Sequence, residues 1–285
     1  MRMMKRKMLT MINRKIMKLA KYIIVVALTL MPVGMQAKDN AAKWEKYGPT
    51  SKSTNAGFIV RAGYVIGGTT PLPPPAEIRK IKEFSPKGGF NVGVDGYKMF
   101  TRRWGIASGL HFFYQGFHTV AEVKGYYMRM EVEGDAIEGY YTGCDVTNAT
   151  FWGFTIPLVA TFAMSARWNL SFGPYIQFYT STGFDGEVYE NDEGVSYIRV
   201  NTPTGQKQEI GRGTNSYDFA DVDGENKMRQ WGAGLEITFD WKALKHMNVF
   251  GTLDWGLTNA MYPDFKAVQF PMYNLYATIG LAYRY

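Results

Sequence analysis

The chain has little that could staple it, ligate a metal or carry it through a membrane as a helix. Its 285 residues include one cysteine, Cys144, so no internal disulfide can form. Only three histidines occur, His111, His118 and His246, too far apart for the paired-histidine helix of a zinc hydrolase. There is no phosphate-cradling glycine loop and no serine at a nucleophile elbow. After residue 37 no run stays apolar for the roughly twenty residues a membrane helix requires. No long segment repeats apolar residues at helical spacing either. What is abundant is aromatic and glycine, with 19 Tyr, 18 Phe, 7 Trp and 31 Gly, which leaves strands as the main element to look for.

Residues 1–37 stand apart. Arg2, Lys5, Arg6, Lys7, Arg14, Lys15, Lys18 and Lys21 precede the apolar run Tyr22–Val33, and small residues follow up to Ala37. This is the layout of a secretory signal peptide with cleavage expected after Ala37. The apolar run is too short for a membrane anchor, and no cysteine sits at the cut for a lipid anchor. Removing these eight basic residues, which come with no acidic one, turns the formal net charge from +7 to −1. The basic pI near 9.2 therefore gives no support to a nucleic-acid partner. The expected organisation is a signal peptide at 1–37, a short periplasmic segment at 38–55 and one barrel domain at 56–285.

Within that domain a period of two recurs. Phe58–Ile66 places Phe58, Val60, Ala62, Tyr64 and Ile66 opposite Ile59, Arg61, Gly63 and Val65. Phe90–Tyr97, Trp104–Gln115, Trp152–Phe162, Leu170–Phe178, Met228–Trp241 and Asn248–Thr258 behave alike. The last segment, Tyr273–Tyr285, sets Tyr273, Leu275, Ala277, Ile279, Leu281, Tyr283 and Tyr285 against Asn274, Tyr276, Thr278, Gly280, Ala282 and Arg284. A soluble β-sandwich or lipocalin-type barrel also alternates, but its polar parity faces water and should be rich in Lys, Glu and Asp. Here that parity is mostly Gly, Ala, Ser, Thr, Asn and Tyr, which suits a narrow interior. The expected fold is all-β, a transmembrane antiparallel up-and-down β-barrel of eight strands, or ten if a loop hairpin enters the membrane. Links near Phe100–Arg103, Ala163–Asn169 and Lys242–Met247 are short. Those at Gly67–Gly89, Gly116–Phe151, Tyr179–Lys227 and Asn259–Met272 are long, which puts short turns in the periplasm and long loops outside.

Several stretches spread over the mature chain resemble one family. They are Gly89-Phe-Asn-Val-Gly-Val-Asp-Gly-Tyr97 with Trp104-Gly-Ile-Ala-Ser-Gly-Leu110, then Ile156-Pro-Leu158, Phe172-Gly-Pro-Tyr175 and Gly280-Leu-Ala-Tyr-Arg-Tyr285. In these the chain resembles the PorT-like outer-membrane β-barrel family. The resemblance implies an outer-membrane location, a short eight-stranded barrel and, through one branch, a role in protein secretion. It implies no reaction and no cofactor.

The inward parity carries Arg61, Asp95, Glu236, Asp240, Asp254 and Arg284. Eight strands enclose a space that side chains can fill, so these charges read as a structural polar plug, with a narrow porin-like channel as the alternative. A barrel-embedded lipid- or peptide-hydrolysing enzyme would have to draw on His118, assigned to a loop, with Glu122, Glu131 and Glu133, or on His111. Asp218-Phe-Ala-Asp-Val-Asp-Gly-Glu225 clusters carboxylates around a glycine, but its spacing is not that of an EF-hand. Asn148-Ala-Thr150 matches a glycosylation sequon by chance frequency. In Gly116–Phe151 the flanks of the acidic tip Glu131–Glu138 read as strand extensions standing above the membrane, and Tyr179–Lys227 as the longest loop. Ile279, Leu281, Tyr283 and Tyr285 resemble a C-terminal signal read by barrel-assembly machinery. The expectation is a non-enzymatic barrel acting through its external loops on an extracellular ligand or secretion partner, surrounded by outer-membrane lipid.

Overall fold

The computed structural model describes residues 56–200, 205–213, 215–218 (216–218 by backbone alone), 228–262 and 271–285. The expected signal peptide, the segment 38–55 and the acidic stretch beyond Asp218 lie outside the described residues. Twelve strands form one sheet. They are β1 (Ala56–Pro71), β2 (Ile78–Pro86), β3 (Gly89–Met99), β4 (Trp104–Val132), β5 (Asp135–Ala163), β6 (Trp168–Tyr189), β7 (Tyr197–Val200), β8 (Lys207–Glu209), β9 (Asn215–Asp218), β10 (Trp231–Lys242), β11 (Met247–Gly256) and β12 (Met272–Arg284).

Eight of these close a ring of antiparallel neighbours in the order β1, β3, β4, β5, β6, β10, β11, β12 and back to β1. The fold is an up-and-down transmembrane β-barrel. Its seam joins β1 to β12 from Ile59↔Arg284 to Pro71↔Met272, so the ring has no free edge within the membrane. Alternation does the rest. On β1, Phe58, Val60, Tyr64 and Ile66 lie on the surface while Ile59, Arg61 and Val65 are buried. On β12, Leu275, Ile279, Leu281 and Tyr283 are outside while Asn274, Tyr276, Thr278 and Ala282 are inside. In water this would be an apolar surface far larger than soluble proteins carry; in lipid it is the required one.

Aromatic side chains mark the two edges of the belt. Trp104 packs on Phe162 (4.7 Å), Trp168 on Trp241 (6.3 Å) and Tyr283 on Tyr285 (4.9 Å) at the short-turn end, and Trp152 packs on Tyr114 (4.4 Å) at the other. Along β4, Trp104 and Tyr114 bracket about the nine to eleven residues a tilted strand needs to cross the hydrocarbon. Two of the three short turns share a device in which a hydroxyl accepts from the returning strand: Trp104 N–H donates to Thr101 Oγ1 (2.9 Å) and Trp168 N–H to Ser165 Oγ (3.2 Å).

At the other end three strands overshoot. β4 and β5 are 29 residues each, roughly 95 Å of strand at about 3.3 Å per residue. Their patterning inverts on the way. Low on β4, Trp104, Ile106, Leu110 and Phe112 face lipid and Gly105, Ala107, Gly109 and His111 face the lumen. Higher up the inward set becomes Phe117, Ala121 and Val123, then, past a bulge at Gly125 (φ 64°), Tyr126, Met128, Met130 and Val132. These pack with Tyr141, Phe151, Phe184, Val188, Ile198, Ile210, Met228 and Met261 into an apolar core above the membrane. A wall leaving lipid for water must turn its greasy side in.

Two expectations change here. The segment 179–227 is not one long loop: β6 continues to Tyr189, β7 pairs with β5 and β8, and β9 pairs with β4 and β6. The link 67–89 contains β2, which pairs with β4 above the level of β3. In both, an added strand satisfies backbone groups that the overshooting wall would otherwise leave unpaired.

Candidate functional site

The lumen is held by a guanidinium that reaches across the ring. Arg61 on β1 donates from Nε to Asp95 Oδ2 (2.7 Å) on neighbouring β3, and from Nη1 and Nη2 to Asp240 Oδ1 and Oδ2 (2.9 and 3.3 Å) on β10. Its Cζ lies 5.1 Å from the Phe250 ring centre. His111 Nε2 hydrogen-bonds the other oxygen of Asp95 at 2.8 Å. Room for this comes from two glycines. A Cβ on Gly93 would fall on the His111 ring, and one on Gly109 would fall on the Asp95 side chain. All four polar groups are buried.

The remaining inward charges do not join that network. Glu236 and Asp254 face each other in register on β10 and β11; Thr238 donates to Glu236 Oε1 at 3.0 Å, and Asp254 Oδ1 has no hydrogen-bond partner. Arg284 sits nearer the short turns with its guanidinium 4.0 Å from the Tyr97 ring centre, and its Nε is unpartnered. The void lined by Arg61, His111, Glu236, Asp254 and Thr278 measures about 10 Å³, scarcely room for one water. Alternation alone does not give His111 its partner: its inward position is legible, but the β3–β4 register is needed to lay it beside Asp95.

His118 is on β4 and not in a loop. A polar rung runs over the outer surface there: Ser85, His118, Asn148 and Asp185 are register neighbours on β2, β4, β5 and β6. His118 Nδ1 meets Asn148 Oδ1 (2.9 Å) and Asn148 Nδ2 donates to Asp185 Oδ2 (3.0 Å). Ser85 Oγ donates to Glu83 (2.9 Å), away from the imidazole. Glu131 and Glu133 cannot complete a site with His118. Thirteen or more residues of one strand separate them, over 40 Å at about 3.3 Å each. Glu122 instead accepts from Asn191 Nδ2 at 3.3 Å. Among the described residues no group of three or more His, Cys, Asp or Glu could hold a metal ion.

The cap has its own polar clasp. Tyr141, fully buried, donates to Tyr189 O (2.9 Å) and shares a hydrogen bond with Ser196 Oγ (3.0 Å), tying β5 to the end of β6 and the start of β7; burial pushes its phenol well above the usual value. On the surface Lys82 Nζ meets Asp192 Oδ1 at 2.7 Å, which raises the ammonium and lowers the carboxyl. At the seam, Tyr285 N–H donates to Phe58 O (3.0 Å), and Ile279, Leu281, Tyr283 and Tyr285 form one exposed stripe.

Among solved structures, the attachment invasion locus protein Ail of Yersinia pestis is 9% identical, with 81% of this chain and 100% of that chain covered at a TM-score of 0.36. OprG of Pseudomonas aeruginosa is 13% identical, covering 81% and 97%, with a TM-score of 0.30. Neisserial surface protein A is 8% identical, covering 81% and 100%, with a TM-score of 0.32. No curated protein matches the chain. The family described as outer membrane protein beta-barrel domain matches residues 49–262, three quarters of the length. With the closed ring, the lipid-facing belt and that match together, the chain belongs to the outer membrane β-barrel domain family.

Proposed function

We propose that the protein is a non-enzymatic resident of the outer membrane whose barrel is a plugged pedestal and whose work is done by the wall and cap outside. One observation carries this reading: the lumen narrows to a void of about 10 Å³ crossed by Arg61, while the strands above it run on into a cap with an apolar core of its own. A channel would invert that investment, with an open middle and dispensable loops. Planar-bilayer recording of the full mature chain tests it. No current steps are expected, and stable ohmic steps would replace the pedestal with a narrow pore.

The finer parts of the proposal rest on the sequence. Export begins with removal of residues 1–37, read by N-terminal sequencing of protein extracted from outer membranes. The stripe Ile279, Leu281, Tyr283 and Tyr285 serves as the address for barrel assembly. The PorT-like resemblance supports secretion or envelope assembly as the setting in which the cap meets an extracellular ligand or protein partner.

A further inference from the structure

The barrel wall is interrupted above the membrane. Pairing of β1 with β3 ends at Val65↔Gly89, and β2 pairs with β4 alone. From Ile66 to Pro71, β1 therefore keeps β12 on one side, while its other edge has no backbone partner and is separated from β2 by a gap that only the Phe84 ring, lying against Gly68, crosses. The β1–β3 junction, closed in lipid, opens into a lateral window immediately above it, while the β1–β12 seam stays paired to Pro71↔Met272.

Behind the window lies a cavity of about 340 Å³, the larger of the two described. β1 supplies one jamb through Gly67, Gly68 and Pro71, and β2 the other through Ile78, Ile81 and Phe84. Phe117, Val123, Met128 and Phe184 form the back wall; the polar members are four threonines and Tyr126, with Asp145 the one charged side chain. Thr69, one of these, already donates to Asn274 Oδ1 at 2.6 Å, so it offers little to a polar guest. A cavity of about 150 Å³ accepts benzene, so this one suits an apolar molecule of about a dozen carbons and falls within the range of small-ligand pockets.

The height of the mouth identifies where such a molecule comes from. Leu275, which lines the cavity, belongs to the lipid-facing parity of β12 and is the register neighbour of Gly68 and of Trp255. Trp255 is one of the outward-facing residues of the membrane belt. Ile81 and Phe84, at 61% and 50% exposure, extend the apolar surface from the belt to the opening. The cavity is thus continuous with lipid on one side and with the cap core on the other. We infer that this window admits a small lipophilic molecule, of one or two rings or the equivalent length of chain, laterally from the outer leaflet into the cap. The inference is independent of the plugged lumen, since the path never enters the membrane-spanning bore.

The test uses the mature chain in liposomes carrying 3-trifluoromethyl-3-phenyldiazirine, a lipophilic photolabel, with labelled residues mapped by mass spectrometry. Lipid-facing Leu253 and Ile237 serve as a positive control and core residues Met130 and Ile198 as background. Ile81, Phe117, Val123 and Met128 should be labelled well above background, and excess naphthalene should remove that labelling while sparing Leu253 and Ile237. Thr119→Phe, which fills the cavity from β4, and Ile81→Glu, which charges an already exposed mouth residue, should each lose the cavity labelling. Their folding is checked by heat-modifiable migration, and Ile81→Glu keeps the test alive if the filled variant does not fold. Cavity labelling at background, equal loss at belt and cavity under naphthalene, or full labelling in folded Ile81→Glu would each overturn the inference.

Discussion

Replacing Arg61 by Met keeps the length and apolar stem of the side chain but removes a charge that serves two carboxylates. Asp95 keeps His111 at 2.8 Å, whereas Asp240 loses both of its guanidinium contacts, at 2.9 and 3.3 Å. Both carboxylates are at least nine-tenths buried, so water cannot take the place of the cation. Removing one partner of a buried pair costs about 3–5 kcal/mol, a large share of the roughly 5–15 kcal/mol that holds a domain. The expected loss is in that range, read as the shift of the urea midpoint by tryptophan fluorescence and by heat-modifiable migration in lipid. The triple variant Arg61→Met, Asp95→Asn, Asp240→Asn removes the stranded charges as well and should recover most of the loss. A loss below about 1 kcal/mol for Arg61→Met, or no recovery in the triple variant, would refute the view that this guanidinium is the tie across the lumen.

Tyr141→Phe strands the groups that its hydroxyl binds and should loosen the cap by about 1–3 kcal/mol, seen as faster amide exchange over 184–200 with the heat shift of the barrel unchanged. Because the folded phenol is raised, its contribution is complete below the ordinary value near pH 10 and is lost only as pH rises beyond it, so protection over the same residues, after correction for the intrinsic rate, should fall in alkali in the wild type alone. The Lys82–Asp192 pair has the opposite limit: with the carboxyl lowered, its contribution is present above about pH 4 and fades as pH falls through the lowered value. Protection of Asn191–Val195, exchange corrected for its intrinsic pH dependence, should therefore be flat from neutral pH down to about pH 4 and fall in acid, and added salt should erase the difference. Deleting Tyr285 removes the Phe58 contact and the edge-to-face contact with Tyr283, and should lower the yield of inserted barrel while leaving the urea midpoint of the inserted fraction close to that of the wild type.

The barrel was legible because lipid imposes a strict rule on each strand. Phe58–Ile66 and Tyr273–Tyr285 show their outward set without reference to any partner, and eight such segments separated by alternating short and long links leave few other closures. The plug was legible by parity but not by pairing. Arg61, Asp95 and Asp240 share an inward face in the sequence, yet so do Glu236, Asp254 and Arg284. Which of the six meet depends on stagger around the ring, a property of register that no single strand carries. His111 was visible as inward and its partner was not, for the same reason.

The cap shows why the loops were harder, and what signal was present. On β4 the apolar residues change sides between Phe112 and Phe117, then change parity again at Gly125, where the backbone adopts φ 64° and the register slips. Read as a loop, Gly116–Val132 looks like broken alternation; read as a strand passing from lipid to water with one bulge, Phe117, Ala121, Val123, Tyr126, Met128, Met130 and Val132 all find the inner face. The same inversion explains the window. β1 stops pairing with β3 where its own greasy parity ends at Ile66, because beyond that height lipid no longer covers the outer face and the chain departs toward Pro71 and the prolines that follow. The chain re-enters the sheet only at Ile78, past Pro73–Pro75, and there β2 pairs with β4, which leaves that edge of β1 without a strand. The gap, and the cavity behind it, follow from a β1–β3 junction that must be closed in the membrane and is not continued above it.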